Sequence, residues 1–72
     1  MHTYADVILP LALPQNYTYR VPEILESQVK PGMRVIVQLG KRKLYTALVY
    51  RLHRKAPEGY TPKDILEIED TY

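Results

Sequence analysis

A chain of 72 residues has room for one small domain, read as residues 1–72, and at that size it buries only about 60% of its unfolded surface. Hydrophobic residues at 46% and charged ones at 25% exclude a disordered segment; no cysteine means no disulfide or thiolate metal site, and two histidines are too few for a structural zinc. The net charge is only +2, no apolar run nears the roughly 18 residues that span a bilayer, and residues 1–20 lack a signal-peptide pattern, so a soluble intracellular domain or a piece of a larger chain is expected.

In chain order, residues 4–9 (YADVIL) are rich in β-formers and stop at Pro10, which cannot donate to a ladder; they predict a first strand. Pro10 and Pro14 bracket an extended link over residues 11–13. Tyr17, Tyr19 and Val21 alternate with Asn16, Thr18 and Arg20, the period-two pattern of a half-buried second strand that Pro22 ends. Residues 23–28 can form one helical turn, with Pro22 in its first position. Pro31-Gly32 fits the two central positions of a type II turn, because glycine takes the positive φ there without strain. Residues 33–39 (MRVIVQL) and 44–52 (LYTALVYRL) then predict two strands joined as a hairpin by the basic loop 40–43. Residues 53–61 read as a polar surface loop, and residues 65–68 as a short last strand ending in Glu69-Asp70. Five short strands with at most one helical turn predict an all-β fold, a small antiparallel barrel of OB-like or SH3-like type whose closure removes sticky edges.

The small net charge conceals a segregated pattern. Residues 30–55 hold Lys30, Arg34, Lys41, Arg42, Lys43, Arg51, Arg54 and Lys55 with no acid, whereas residues 1–29 sum to −2 and residues 56–72 to −4. Such a run marks either a polyanion-binding face or basic strands that pair with the acidic terminal strand. Aromatic usage is equally lopsided, with seven Tyr and neither Phe nor Trp. Tyrosine suits half-buried strand positions and binding surfaces alike.

Catalytic patterns are missing. Gly40-Lys41 lacks both the upstream glycine and the following Ser or Thr of a phosphate loop, and neither a G-x-S-x-G elbow nor an H-E-x-x-H pair occurs. His2 and His53 sit in a terminal and a basic-loop context, and Glu67 and Glu69, two apart on a strand, suit a solvent-facing edge. No enzyme activity is therefore expected of this fragment. Basic residues that track phosphates and tyrosines that stack on bases point instead to binding, either of single-stranded nucleic acid or, as in SH3-type barrels, of a peptide.

The order of motifs resembles one family. Residues 7–14 (VILPLALP), 17–22 (YTYRVP), 31–41 (PGMRVIVQLGK) and 63–70 (KDILEIED) are together similar to the N-terminal 3′ DNA-binding domain of the bacterial PriA replication-restart helicases (primosomal protein N′). The resemblance implies a DNA-binding module that captures the 3′ end of the nascent leading strand at stalled replication forks. Tyr17, Thr18, Tyr19, Gly40 and Lys63 would form the 3′-end pocket, and Lys41, Arg42 and Lys43 are expected to touch phosphates. The chain departs from the family at Thr18, where Asp is common, and at Ala47, where Gly is frequent. The same resemblance implies a cytoplasmic location at the bacterial nucleoid, with branched DNA bearing a free 3′ end as partner and no membrane. Other primosome proteins and the helicase core would be reached through a parent chain that uses ATP, magnesium and zinc, with no cofactor in this fragment. From the residues alone, Tyr17 and Tyr19 fit a core strand as well as a pocket, Gly40 fits a simple turn, and Lys63 fits an ion pair with Asp64 or Glu67.

Overall fold

The computed structural model describes residues 2–12 and 17–69; the expectations for Leu13, Pro14, Asn16 and Asp70 lie outside them. Five strands form: β1 Thr3–Ile8, β2 Tyr17–Val21, β3 Arg34–Leu39, β4 Lys43–His53 and β5 Glu67–Ile68, with a 3-10 turn at Glu23–Leu25. They make one antiparallel sheet in the order β2-β1-β4-β3-β5. Among the described residues no helix is long and apolar enough to cross a membrane.

The core follows from side-chain alternation. Ala5 and Val7 of β1, Tyr19 and Val21 of β2, Val35 and Val37 of β3, and Ala47 and Val49 of β4 all point inward, joined by Leu9, Val29 and Ile65. Small β-branched side chains dominate, which suits a strongly curved sheet with little internal volume.

The hairpin forms as the sequence requires. Met33 donates to the Lys30 carbonyl at 3.1 Å and Gly32 takes φ 94°, closing the turn ahead of β3. At the other end of β3, Leu39 faces Lys43 across a three-residue loop, so Lys43 opens β4 rather than belonging to the connection. Gly40 there has φ 75°, and the Gln38 side-chain amide donates to the Gly40 and Lys41 carbonyls at 3.2 and 2.9 Å.

Three expectations are corrected. Pro22 is the residue before the 3-10 turn, with ψ 148°, rather than its first member. The ring fixes φ but leaves ψ extended, and the Pro22 carbonyl accepts from Leu25 at 2.9 Å. The last strand is only Glu67–Ile68, and the sheet stays open instead of closing as a barrel. Both follow from residues 63–69 dividing their backbone bonds between the two sheet edges. Arg20 of β2 donates to Lys63 and accepts from Ile65, whereas Leu66 and Glu69 donate to Ile36 and Arg34 of β3. A segment this short cannot build a full ladder on either side. The two edges therefore meet through the isolated parallel bridge Arg20↔Asp64.

A bulge interrupts the β1–β4 pairing. Asp6 faces Arg51 but Val7 faces Val49, which leaves Tyr50 as the extra residue. It resets the alternation: Val49 is buried, Tyr50 and Arg51 are both exposed, and Leu52 returns to pack on the core.

Candidate nucleic-acid interface

The seam between the sheet edges is where backbone regularity ends and side chains take over. Arg20 grips Asp64 with two nitrogens at 2.6 and 2.8 Å. The Arg20 hydrogen bond holds the Asp64 carboxyl below its ordinary value, against some desolvation. Lys63 is thereby left to turn the other way. Its ammonium donates to the Gly40 carbonyl at 2.9 Å, so neither Asp64 nor Glu67 claims it.

Beside these contacts lies a cleft of about 210 Å³ lined by Tyr17, Thr18, Tyr19, Gly40, Tyr60 and Lys63 together with Gln38, Leu39 and Thr61. The five residues singled out for an end pocket come from β2, the β3–β4 loop and the seam, and the fold brings all five to this one cleft. Tyr19 serves core and cleft together: it is buried with the core, while its hydroxyl donates to the Gln38 carbonyl at 2.9 Å. Burial, then the neighbouring Tyr17 and Tyr60, push its hydroxyl pKa up, so it stays a neutral donor. Tyr17 is half-buried against the core.

Gln38, Leu39, Tyr60 and Thr61 were not anticipated. Tyr60 stands in a polar, glycine-containing loop, and its hydroxyl accepts from the Thr18 backbone N–H at 3.2 Å. A lone aromatic in such a loop was the available signal. Lys41 and Arg42, in the loop that begins at Gly40, and Lys43, the first residue of β4, are all exposed and follow the cleft residue Gly40 without lining the cleft themselves.

The Thr18 side chain looks away from the seam. Its hydroxyl donates to Asp6 Oδ1 at 2.6 Å, and the same carboxylate receives Arg51 Nε and Nη2 at 2.9 and 2.6 Å and His53 Nε2 at 2.9 Å. Asp6, 5% exposed, is the buried charge among the described residues. Burial pushes its pKa up, but the hydrogen bonds from Thr18, His53 and Arg51 outweigh that and hold it below the ordinary 3.8. His53 is fixed from both sides: Nδ1 accepts from the Lys55 N–H at 3.1 Å, so the Nε2 proton faces Asp6. Its ring stacks on Tyr4 with centroids 6.1 Å apart.

The acidic residues are divided between the basic strands and other partners: Asp6 pairs with Arg51 of β4, and Glu67 lies on β5, which pairs with β3. Asp64 pairs with Arg20, Glu26 accepts from Thr3 at 2.8 Å and Glu69 accepts from Thr46 at 2.8 Å. The exposed cations Lys41, Arg42 and Lys43 follow directly in the chain on Gly40, which lines the cleft.

Comparison with known proteins gives one result. A family model described as the 3′ DNA-binding domain (3′BD) of PriA matches residues 6–72. Neither a curated protein nor a solved structure matches the chain. The matched span runs from the buried Asp6 through the cleft to the end of the chain, and on that ground the chain belongs to the PriA 3′ DNA-binding domain family, a DNA-binding module.

Proposed function

We propose that this module holds the free 3′ end of a nascent leading strand at a stalled replication fork. The observation that carries this reading is the convergence of Tyr17, Thr18, Tyr19, Gly40 and Lys63 from three chain segments on one cleft. At about 210 Å³ the cleft suits a base or a sugar rather than a length of duplex. The Tyr17 ring offers a stacking face, the Lys63 ammonium a cation near a terminal phosphodiester, and Gly40 lets the backbone come close to the ligand. Lys41, Arg42 and Lys43 stand beside the entrance as phosphate contacts.

In this reading the chain is the end-sensing part of a replication-restart helicase in the bacterial cytoplasm. ATP, magnesium and zinc, and contacts with other primosome proteins, belong to the remainder of that helicase; this fragment itself performs no catalysis. Among the described residues no three His, Asp or Glu side chains converge to hold a metal ion.

The test is a competition between three DNAs of equal length and sequence: a strand with a free 3′-hydroxyl, the same strand with a 3′-phosphate, and a circle. A snug cleft disfavours the extra dianionic group, so the hydroxyl end should bind best and the circle worst. Equal binding of all three would remove end recognition and leave a general strand binder. No salt-dependent binding to any of them would favour a peptide-binding barrel.

A further inference from the structure

The bulge in β4 does something that the end pocket does not require. Strict alternation from the buried Val49 would send Arg51 into the core. The extra residue at Tyr50 turns Arg51 outward instead, so an aromatic ring and a guanidinium stand side by side on the outer face. Tyr50 is 41% exposed and the Arg51 side chain 66%. Arg51 is also pre-ordered. Nε and Nη2 are committed to Asp6 Oδ2, which fixes the plane of the guanidinium while its outer edge faces solvent. A cation already held in one rotamer loses less entropy on binding a phosphate than a free side chain does.

This surface adjoins the cleft. Thr18, Asp6 and Arg51 face one another across β2, β1 and β4, so Arg51 lies about two strand spacings, or ~10 Å, from a cleft residue. Arg54 and Lys55 follow directly, both exposed, and the loop they open returns to the cleft at Tyr60. The segment 50–55 contains three cations and no carboxylate.

We propose that this bulged corner, with Tyr50, Arg51, Arg54 and Lys55, is a second DNA contact, and that it carries the single strand leading up to the terminal nucleotide. Phosphates lie against Arg51, Arg54 and Lys55, and a base stacks on Tyr50. The strand thus leaves the cleft across β2, β1 and β4, in the opposite sense to the 40–43 loop. The inference rests on the end-binding reading for its anchor, but it concerns the nucleotides behind the end.

Two 3′-hydroxyl ligands separate the sites: a dinucleotide, which fills only the cleft, and an eight-nucleotide strand, which also reaches the corner. The double variant Arg54→Ser with Lys55→Ser changes two exposed side chains and leaves the Asp6 network in place. Dinucleotide affinity should be unchanged. For the longer strand the slope of log affinity against log salt should fall by about 1.4, which makes its loss of affinity between 50 and 200 mM salt about sevenfold smaller. Tyr50→Leu, checked by its melting curve, should weaken the longer strand alone. If both variants bind the longer strand with the wild-type slope and affinity, the corner is not a DNA contact. If instead replacing Lys41, Arg42 and Lys43 with Ala takes the whole length-dependent term, the strand leaves by that loop and the proposal is wrong. Failure of the end reading itself would look different, since a circle would then compete as well as the eight-nucleotide strand.

Discussion

The β3–β4 hairpin and the seam between β2 and residues 60–65 are built on opposite plans. The hairpin is an unbroken ladder of six facing pairs, from Arg34 with Leu48 to Leu39 with Lys43. The seam has one bridge, two backbone bonds to Arg20, an Arg20–Asp64 ion pair and the reach of Lys63 to Gly40. The ladder consumes the donors and acceptors that face it, and beyond β5 the Gln38 carbonyl of β3 is left to take the Tyr19 hydroxyl. The incomplete seam leaves room for a cleft, and it aims a lysine, a glycine carbonyl and tyrosine hydroxyls at the same space. Regular pairing makes the scaffold; the place where pairing runs short makes the site.

The contrast can be broken most severely at Ile65, 1% exposed and the apolar anchor of the seam. Ile65→Ala should cost about 2–5 kcal/mol, enough to bring so small a domain close to unfolding, as read from the midpoint of a urea titration. A near-neutral result would mean that the hairpin side alone holds the core.

Asp6 tests how the outer face supports the seam through Thr18. Asp6→Asn keeps the shape but turns a multiple acceptor partly into a donor facing Thr18, Arg51 and His53, at a cost of about 1–3 kcal/mol. The sign of the pH dependence follows from the lowered pKa. Stability from the Asp6 carboxylate is fully present above its unfolded value near 3.8 and is lost as pH falls through its lower folded value. Wild type should therefore lose stability in acid more steeply than the Asn variant. Parallel acid curves for the two proteins would show that the network contributes nothing.

Thr18→Asp sharpens the same point. Because Thr18 and Asp6 are facing residues, the variant sets two carboxylates opposite each other. Like charges in that position destabilise a sheet by roughly 0.2–1 kcal/mol, beyond the lost hydroxyl bond. The deficit should shrink as pH falls, because one carboxylate of the pair then takes up a proton at a raised pKa. A deficit that grows in acid would contradict this pairing.

Arg20→Gln has the smallest expected effect. The pair is about two-fifths exposed on both sides, so solvent screens it and the variant should lower the melting midpoint only slightly at low salt and not at all at high salt. Loss of the folded state would mean that the bridge, rather than Ile65, closes the seam.

The legibility of the molecule divides along the same line. Pro31-Gly32 and the β-branched alternation of residues 33–39 announce the hairpin, because local turn chemistry and period-two burial agree there. The bulge was hidden because Leu48 and Tyr50 are apolar although they face outward, so residues 47–52 read as one unbroken strand. The shortness of β5 was hidden too, since nothing local to residues 65–68 says that Arg20, 45 positions upstream of Ile65, will take their neighbours' hydrogen bonds. The resemblance supplied Tyr17, Thr18, Tyr19, Gly40 and Lys63 together, where residue chemistry alone left core and pocket equally open. Tyr60 had only the signal of a lone aromatic in a polar loop, and Gln38, a polar residue within a strand, joined the cleft only when the chain folded back on itself.

The central claim is that the seam cleft holds the strand end, and a residue-resolved NMR titration with a 3′-hydroxyl dinucleotide tests it most directly. Backbone amides of Tyr17, Thr18, Tyr19, Gly40, Tyr60 and Lys63 should move first and furthest, with the ladder pairs away from the cleft, Arg34 with Leu48 to Ile36 with Thr46, unmoved. Shifts confined to other surfaces, with those six amides unchanged at saturation, would contradict the account.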